Sequence, residues 1–274
     1  MAAMAAMAQM PETVHLSSGT GHSGRVRRCW AVLLAASAMV AAVVTWVPPA
    51  AGADLPLAGR VVAIDPGHQL GNGAHPSRIG RQVWVGLWKA CNTTGTATNG
   101  GYPEATLTWR VSLRLKGRLE ALGATVRMTR TTNSRADWGP CVDARGRFGA
   151  RVGADVAVSV HGDGAAASTR GFFVIRPARR DGYTDDIARP SRRLASRLRE
   201  GLLGAGFRAS SAYGGDGLDA RSDLGTLNMA DVPTVLVELG NMRNPHDARC
   251  MTAATCRDRY ARGLADGVLA HLAR

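Results

Sequence analysis

Residues 61–68 read VVAIDPGH, an apolar run that stops on a histidine. Two further segments have the same form: DVAVSVH (155–161), which closes on His161, and TVLVELG (234–240), whose apolar run is capped by Glu238. Each is rich in β-branched residues, and each has the length of a strand buried in a parallel sheet. In open α/β sheets the functional crevice lies beyond the carboxyl ends of the strands. Two imidazoles and a carboxylate delivered to that edge from distant parts of the chain have the chemistry of a zinc site.

Helical periodicity fills the intervals. From Glu104, residues Leu107, Val111, Leu115, Leu119 and Leu122 share one face, and Gly123 stops the pattern. A strand follows at 124–130, then a turn-rich connection to Pro140 and a short helix at about 143–152. Residues 171–177 (GFFVIRP) read as another strand, and 186–204 as a helix with Leu194, Leu198 and Leu202 at i+4 spacing. A closing helix from about Arg257 carries Tyr260, Leu264, Val268 and Leu272 in register. With no internal repeat, the expectation is a single α/β domain: a mostly parallel twisted sheet of about six strands with helices on both faces.

The stretch 69–103 is too long for an ordinary connection. It holds Trp84, Trp88 and Cys91, and its RQVWVGLWK segment (81–89) reads as a short hairpin or helix over the site. Such a segment is either a lid that shapes access or a packed excursion with its tryptophans buried.

Ahead of the fold, Arg25, Arg27 and Arg28 precede an apolar stretch from Trp30 to Val47, then Pro48, Pro49 and small residues ending Ala51-Gly52-Ala53. This pattern describes a secretory signal peptide over residues 1–53, with Asp54 as the mature start. The alternative is a retained anchor, since the apolar core approaches a membrane span in length. The n-region is long and carries Met1, Met4, Met7 and Met10, as an assigned start upstream of the true one would produce. Export then places the protein in the cell wall, periplasmic space or extracellular space, with no stable membrane insertion after cleavage.

The whole chain has a formal charge of +13, of which the leader's three arginines and Glu12 account for two, which leaves +11. Lys89 and Lys116 are the two lysines; arginine supplies the rest. Abundant Ala, Gly, Val and Arg fits a GC-rich genome, so part of this charge carries no function. The functional reading is attraction to an anionic polymer, which for an exported protein means cell wall. No basic run interleaved with aromatics suggests nucleic acid.

Residues 54–274 retain Cys91, Cys141, Cys250 and Cys256, an even number that reads as disulfides in an exported chain. Cys250 and Cys256 can close a small loop, leaving Cys91 with Cys141. A structural zinc site is the rival, but no C-x-x-C pair is present.

A catalytic zinc takes three protein ligands and leaves one position open. His68 and His161 supply two, and Glu104, where a helix opens after Tyr102-Pro103, is the best third. Amide hydrolysis also needs a base and then a proton donor, and Glu238 can serve as both. Asp65 is a candidate to orient an imidazole. Of the other histidines, His246 and His271 read as surface residues, and His75 as a lesser candidate for contact with substrate or metal.

Taken together, the motifs resemble the zinc-dependent N-acetylmuramoyl-L-alanine amidases of bacterial cell walls. The likeness spans about residues 60–272 and rests on four pieces. These are IDPGH (64–68); Glu104 with LTWRVSLRLKGRLEALGATVRMTR (107–130); Arg145 ahead of ADVAVSVHGDGA (154–165); and VPTVLVELGNMRNPHD (232–247). The resemblance implies one zinc on His68, Glu104 and His161, with Glu238 as the catalytic carboxylate. It also implies hydrolysis of the amide between the lactyl group of N-acetylmuramic acid and L-alanine, in peptidoglycan or muropeptide fragments. The chain departs from the family pattern in three places: Gln69-Leu70 intervene before Gly71-Asn72-Gly73, the loop to Glu104 is long, and Asp163 stands where asparagine is common. No separate wall-binding domain is legible. Two other readings use the same residues: a zinc peptidase of the stem peptide, and a non-catalytic wall-binding or regulatory module of the same fold. A compact hydrolase of this kind is most simply a monomer.

Overall fold

A computed structural model of the chain describes residues 55–273. The expected leader and the expected mature start at Asp54 lie outside the described residues. Among the described residues, no helix is long and apolar enough to cross a membrane.

In chain order the elements begin with β1 (Val61–Pro66), α1 (Pro76–Gly80), β2 (Gln82–Trp84), β3 (Trp88–Ala90), α2 (Glu104–Ala121) and β4 (Thr125–Met128). They continue with α3 (Val142–Gly146), α4 (Phe148–Arg151), β5 (Val156–Asp163), β6 (Phe173–Pro177) and α5 (Ala188–Gly204). The last are β7 (Leu218–Arg221), α6 (Gly225–Asn228), β8 (Thr234–Asn241), α7 (Pro245–Thr252) and α8 (Ala254–Leu272). Six strands form one sheet in the order β4-β1-β5-β8-β6-β7. All neighbours are parallel except β6 and β8, which run antiparallel.

Strand alternation divides the two faces. Val62, Ile64, Val156, Val158, Val160, Val235 and Val237 enter one large core with α2, α5 and α8. In α2, Leu107, Val111, Leu115 and Leu119 are fully buried there, each contributing roughly 1.5–3 kcal/mol. The helices α5 and α8 cross so closely that a Cβ on Gly201 would lie 2.2 Å from the Gly263 carbonyl, which excludes any larger residue at the contact. The alternate residues of the same strands, Asp65, Ser159, His161, Leu236 and Glu238, belong to the opposite side. That side is covered by short helices and by the hairpin β2–β3, with a small core of Phe173, Ile175, Leu227 and Leu236. The sheet therefore has an oily face that stabilises the fold and a more polar face that bears Asp65, Ser159, His161 and Glu238.

The expected helix at 143–152 is two short helices, because Gly146 and Gly149 weaken a continuous one. The closing helix starts at Ala254, and α7 precedes it, opened by Pro245 and by the Asn244 side chain accepting from the His246 and Asp247 amides. The segment 81–89 is a hairpin, and its tryptophans are exposed, not buried.

Both disulfides have the expected pairing, Cys91–Cys141 and Cys250–Cys256. The first closes a loop of 50 residues and the second one of 6. Loop-closure entropy then assigns about 4 kcal/mol to the first and about 2 to the second. Denaturant unfolding of the paired Cys→Ser variants should reproduce that order; the reverse order would mean that the bridges act through the native state.

Candidate active site

His68 follows β1 in a backbone conformation that side chains rarely adopt. Its φ is +59°, the one positive value on a non-glycine residue among the described residues. A left-handed residue costs about 1–3 kcal/mol and persists where surrounding contacts dictate it. Two buried arginines do so here. Arg145 forms an ion pair with the Asp65 carboxylate and donates to the Pro66 carbonyl at 2.9 Å and the His68 carbonyl at 2.8 Å. From the other side, Arg130 donates to the Pro66 carbonyl at 3.0 Å and the Ala105 carbonyl at 2.9 Å. Gly67 leaves room for the second histidine, since a Cβ there would lie 2.3 Å from the His161 ring.

This turn aims the His68 ring into a cavity of about 570 Å³. Its Nδ1 lies 3.0 Å from the Thr93 carbonyl, so that donation to this oxygen leaves Nε2 as an electron-pair donor. Nε2 is 3.1 Å from Glu104 Oε1, and His161 Nδ1 is 3.0 Å from the same oxygen. Glu104 opens α2 and is held from behind: its Oε1 accepts from the Gly162 amide at 3.1 Å and its Oε2 from the Thr96 amide at 2.9 Å. The three side chains offer one ligand atom each, all within 4.8 Å of one another. Donor atoms on a tetrahedral zinc lie about 3.3 Å apart, given zinc–ligand distances of 2.0–2.2 Å. The donor set and its spacing therefore fit zinc.

Burial alone would raise the pKa of Glu104, but with protons rather than a metal between these groups, the charge of a doubly protonated His68 and hydrogen bonds from both imidazoles outweigh it and hold the carboxyl well below its ordinary range. Glu238 has the opposite fate. It stands beside His161 in the β5–β8 register and lines the same cavity, and its Oε2 is buried with no hydrogen-bond partner among the described residues. Burial first, then the charges of Glu104 and Asp163, push its pKa well above the usual carboxylate value. The site thus holds one carboxylate kept ionised among nitrogen donors and another that takes a proton readily.

All four sequence-predicted site residues, His68, Glu104, His161 and Glu238, converge on one cavity. Asp65 does not touch an imidazole. Its carboxylate accepts from Arg145, Thr129 (2.5 Å) and Ser159 (2.7 Å), so it acts on His68 through the backbone that Arg145 holds. His75 faces away, with Nε2 2.8 Å from the Ala136 carbonyl and its ring against Trp138. Sequence reasoning missed the Thr93–Thr96 segment and the Arg221–Asp223 pair on the cavity wall. Gly95 was the available signal: a Cβ there would meet Glu104 Oε2 at 2.8 Å and His68 at 2.9 Å.

A family model described as N-acetylmuramoyl-L-alanine amidase matches residues 62–270. The chain belongs to this family. The N-acetylmuramoyl-L-alanine amidase Rv3717 of Mycobacterium tuberculosis is 42% identical over 237 residues, 86% of this chain and 95% of that protein. Among solved structures, the N-acetylmuramyl-L-alanine amidase Ami1 of Mycobacterium smegmatis is similar with a TM-score of 0.73 and 37% identity, over 79% of this chain and 98% of that one. Ami1 of Mycobacterium abscessus, in its apo form, gives the same TM-score at 40% identity, over 78% and 99%. The four candidate positions of this amidase-family chain all fall inside the matched span.

Proposed function

We propose that this chain is a zinc-dependent N-acetylmuramoyl-L-alanine amidase that acts on peptidoglycan or its muropeptide fragments. The observation that carries the mechanism is the partnerless buried Oε2 of Glu238, in the same cavity as the His68, Glu104 and His161 donors. His68 Nε2, one Glu104 oxygen and His161 Nδ1 would hold the metal. Zinc held there supplies a Lewis acid that polarises the scissile carbonyl and lowers the pKa of the attacking water.

The remaining chemistry belongs to the chain. Glu238 takes a proton from water as its oxygen bonds to the lactyl carbonyl carbon. It then returns that proton to the alanine nitrogen as the carbon–nitrogen bond breaks. The products are the lactyl carboxylate on the glycan and a stem peptide with a free amine. A carboxyl with a raised pKa suits both halves of that exchange. The Thr93 carbonyl and the Thr96 amide fix the ligands' orientation.

The basic leader and apolar core of residues 1–53 support export, and with it a wall-facing location. The test is product analysis on the purified protein together with its metal content. About one zinc per chain, with intact stem peptides released from glycan, is the expected result. Cleavage between amino acids would identify a stem-peptide peptidase. Adhesion to wall with neither zinc nor products would identify a binding module.

A further inference from the structure

The hairpin β2–β3 carries a feature that the hydrolytic chemistry does not use. Its register pairs Gln82 with Ala90, Val83 with Lys89 and Trp84 with Trp88. Alternation places Gln82, Trp84, Trp88 and Ala90 on one face and Val83 and Lys89 on the other. Val83 is buried, in a small cluster with Val85 and Cys91. On the first face Trp84 is 51% exposed and Trp88 65%, with their rings edge to face at 5.3 Å. Large apolar groups side by side in water are uncommon on a protein surface and mark a place where something binds. At the other end of that same face Ala90 lines the catalytic cavity, as Lys89 does from the opposite face.

The hairpin is also held still. The Arg180 guanidinium donates to the Gly86 carbonyl at 2.6 Å and lies over the Tyr183 ring. The Trp84 indole N–H donates to the Tyr183 hydroxyl at 3.3 Å. Cys91, one residue past β3, is fixed by its bridge to Cys141. A rigid aromatic surface binds with little loss of conformational entropy.

We propose that Trp84 and Trp88 form a stacking platform for the sugar rings of the glycan strand, reaching outward from the cavity along the hairpin. The proposal rests on the amidase reading. The scissile carbonyl of that substrate belongs to a lactyl group borne on a sugar, so a pyranose ring lies beside the cavity in any productive complex. A strand rises about 3.3 Å per residue, so Trp88, two positions from Ala90, lies within about one ring's reach of the cavity wall. The tryptophan face carries no charge. That suits the uncharged, C–H-bearing faces of N-acetylated sugars and not a stem peptide with its carboxylates.

Peptide-free glycan strands separate this idea from the hydrolytic one, because they contain no scissile amide. Calorimetric titration of the full protein with such strands should show saturable binding that weakens about tenfold in Trp88→Ala and is largely kept in Trp88→Phe. The ratio of turnover on intact wall to turnover on monomeric muropeptide should fall by a similar factor in Trp88→Ala. Equal glycan affinity in wild type and Trp88→Ala, at matched thermal midpoints, overturns the platform. So does a variant that loses affinity for free stem peptide or self-associates less, with glycan binding untouched. A wild-type protein that binds stripped glycan and cleaves neither substrate would instead refute the amidase reading and leave the platform standing.

Discussion

Glu238→Gln lowers turnover of the muramoyl–alanine amide by about 10³-fold and leaves zinc content at its wild-type level. The substituted amide keeps the shape of the carboxylate and its place beside His161, but it can neither accept a proton from water nor return one to the leaving amine. General acid–base groups contribute roughly 10²–10⁴-fold, and the proposed loss for a residue that serves both half-reactions lies in the middle of that range. Binding of substrate does not need the proton, so the fall is in kcat and KM moves little. Glu238 offers no atom to the group formed by His68, Glu104 and His161, which is why the metal stays. Steady-state kinetics with metal analysis on the same preparation checks both halves. Loss of zinc in step with activity would make Glu238 a ligand. Retained turnover would move the base to Asp163, the next carboxylate on the cavity wall.

Arg145→Met, on the cavity wall but outside the candidate ligand set, costs about 3–5 kcal/mol of stability. Its guanidinium is nearly inaccessible and pairs with an equally inaccessible Asp65, so the substitution strands a buried carboxylate. The variant also frees the His68 carbonyl and with it the left-handed turn that aims the ring. Removing such a support typically weakens metal binding by 10–100-fold. The pH dependence has a fixed sign. Burial alone would raise the pKa of Asp65, but Arg145, Thr129 and Ser159 outweigh it and hold the folded value below the unfolded one. The stabilisation is therefore complete above the unfolded value, about 3.9, and is lost as the pH falls through the folded value. The stability gap between wild type and Arg145→Met is therefore widest near neutral pH and narrows as the pH falls and Asp65 takes up a proton, as denaturant melts across pH 3–7 would show. A gap that stays constant with pH would mean that Thr129 and Ser159 hold Asp65 ionised unaided.

The strands that carry the site were legible because each is a short apolar run ending on a polar residue. Burial wrote that pattern into β1, β5 and β8. The helix α2 was equally plain, with Leu107 to Leu119 on one face and Glu104 at its start. What escaped was structure that depends on partners. The strand β7, LDAR, is four residues long, too short for its alternation to stand out from a loop, and it exists because β6 offers it an edge. The role of Asp65 was misjudged because its partner Arg145 is 80 residues away, and local sequence does not choose between an arginine and an imidazole. The hairpin was one of two readings of 81–89, and exposure of its tryptophans could not be inferred, since apolar residues ordinarily argue for burial.

The candidate ligand and proton-transfer residues come from the turn after β1, the start of α2, β5 and β8, so only a fragment that spans at least residues 68–238 contains all four. Contacts of such high sequence separation form late and make folding slow. Metal uptake should consequently lag behind helix formation during refolding, and truncated or stalled chains should fail to capture the ion at all. The proposed zinc would, in that sense, be a clock for the last step of chain assembly: an unfinished molecule would not be a prematurely active one.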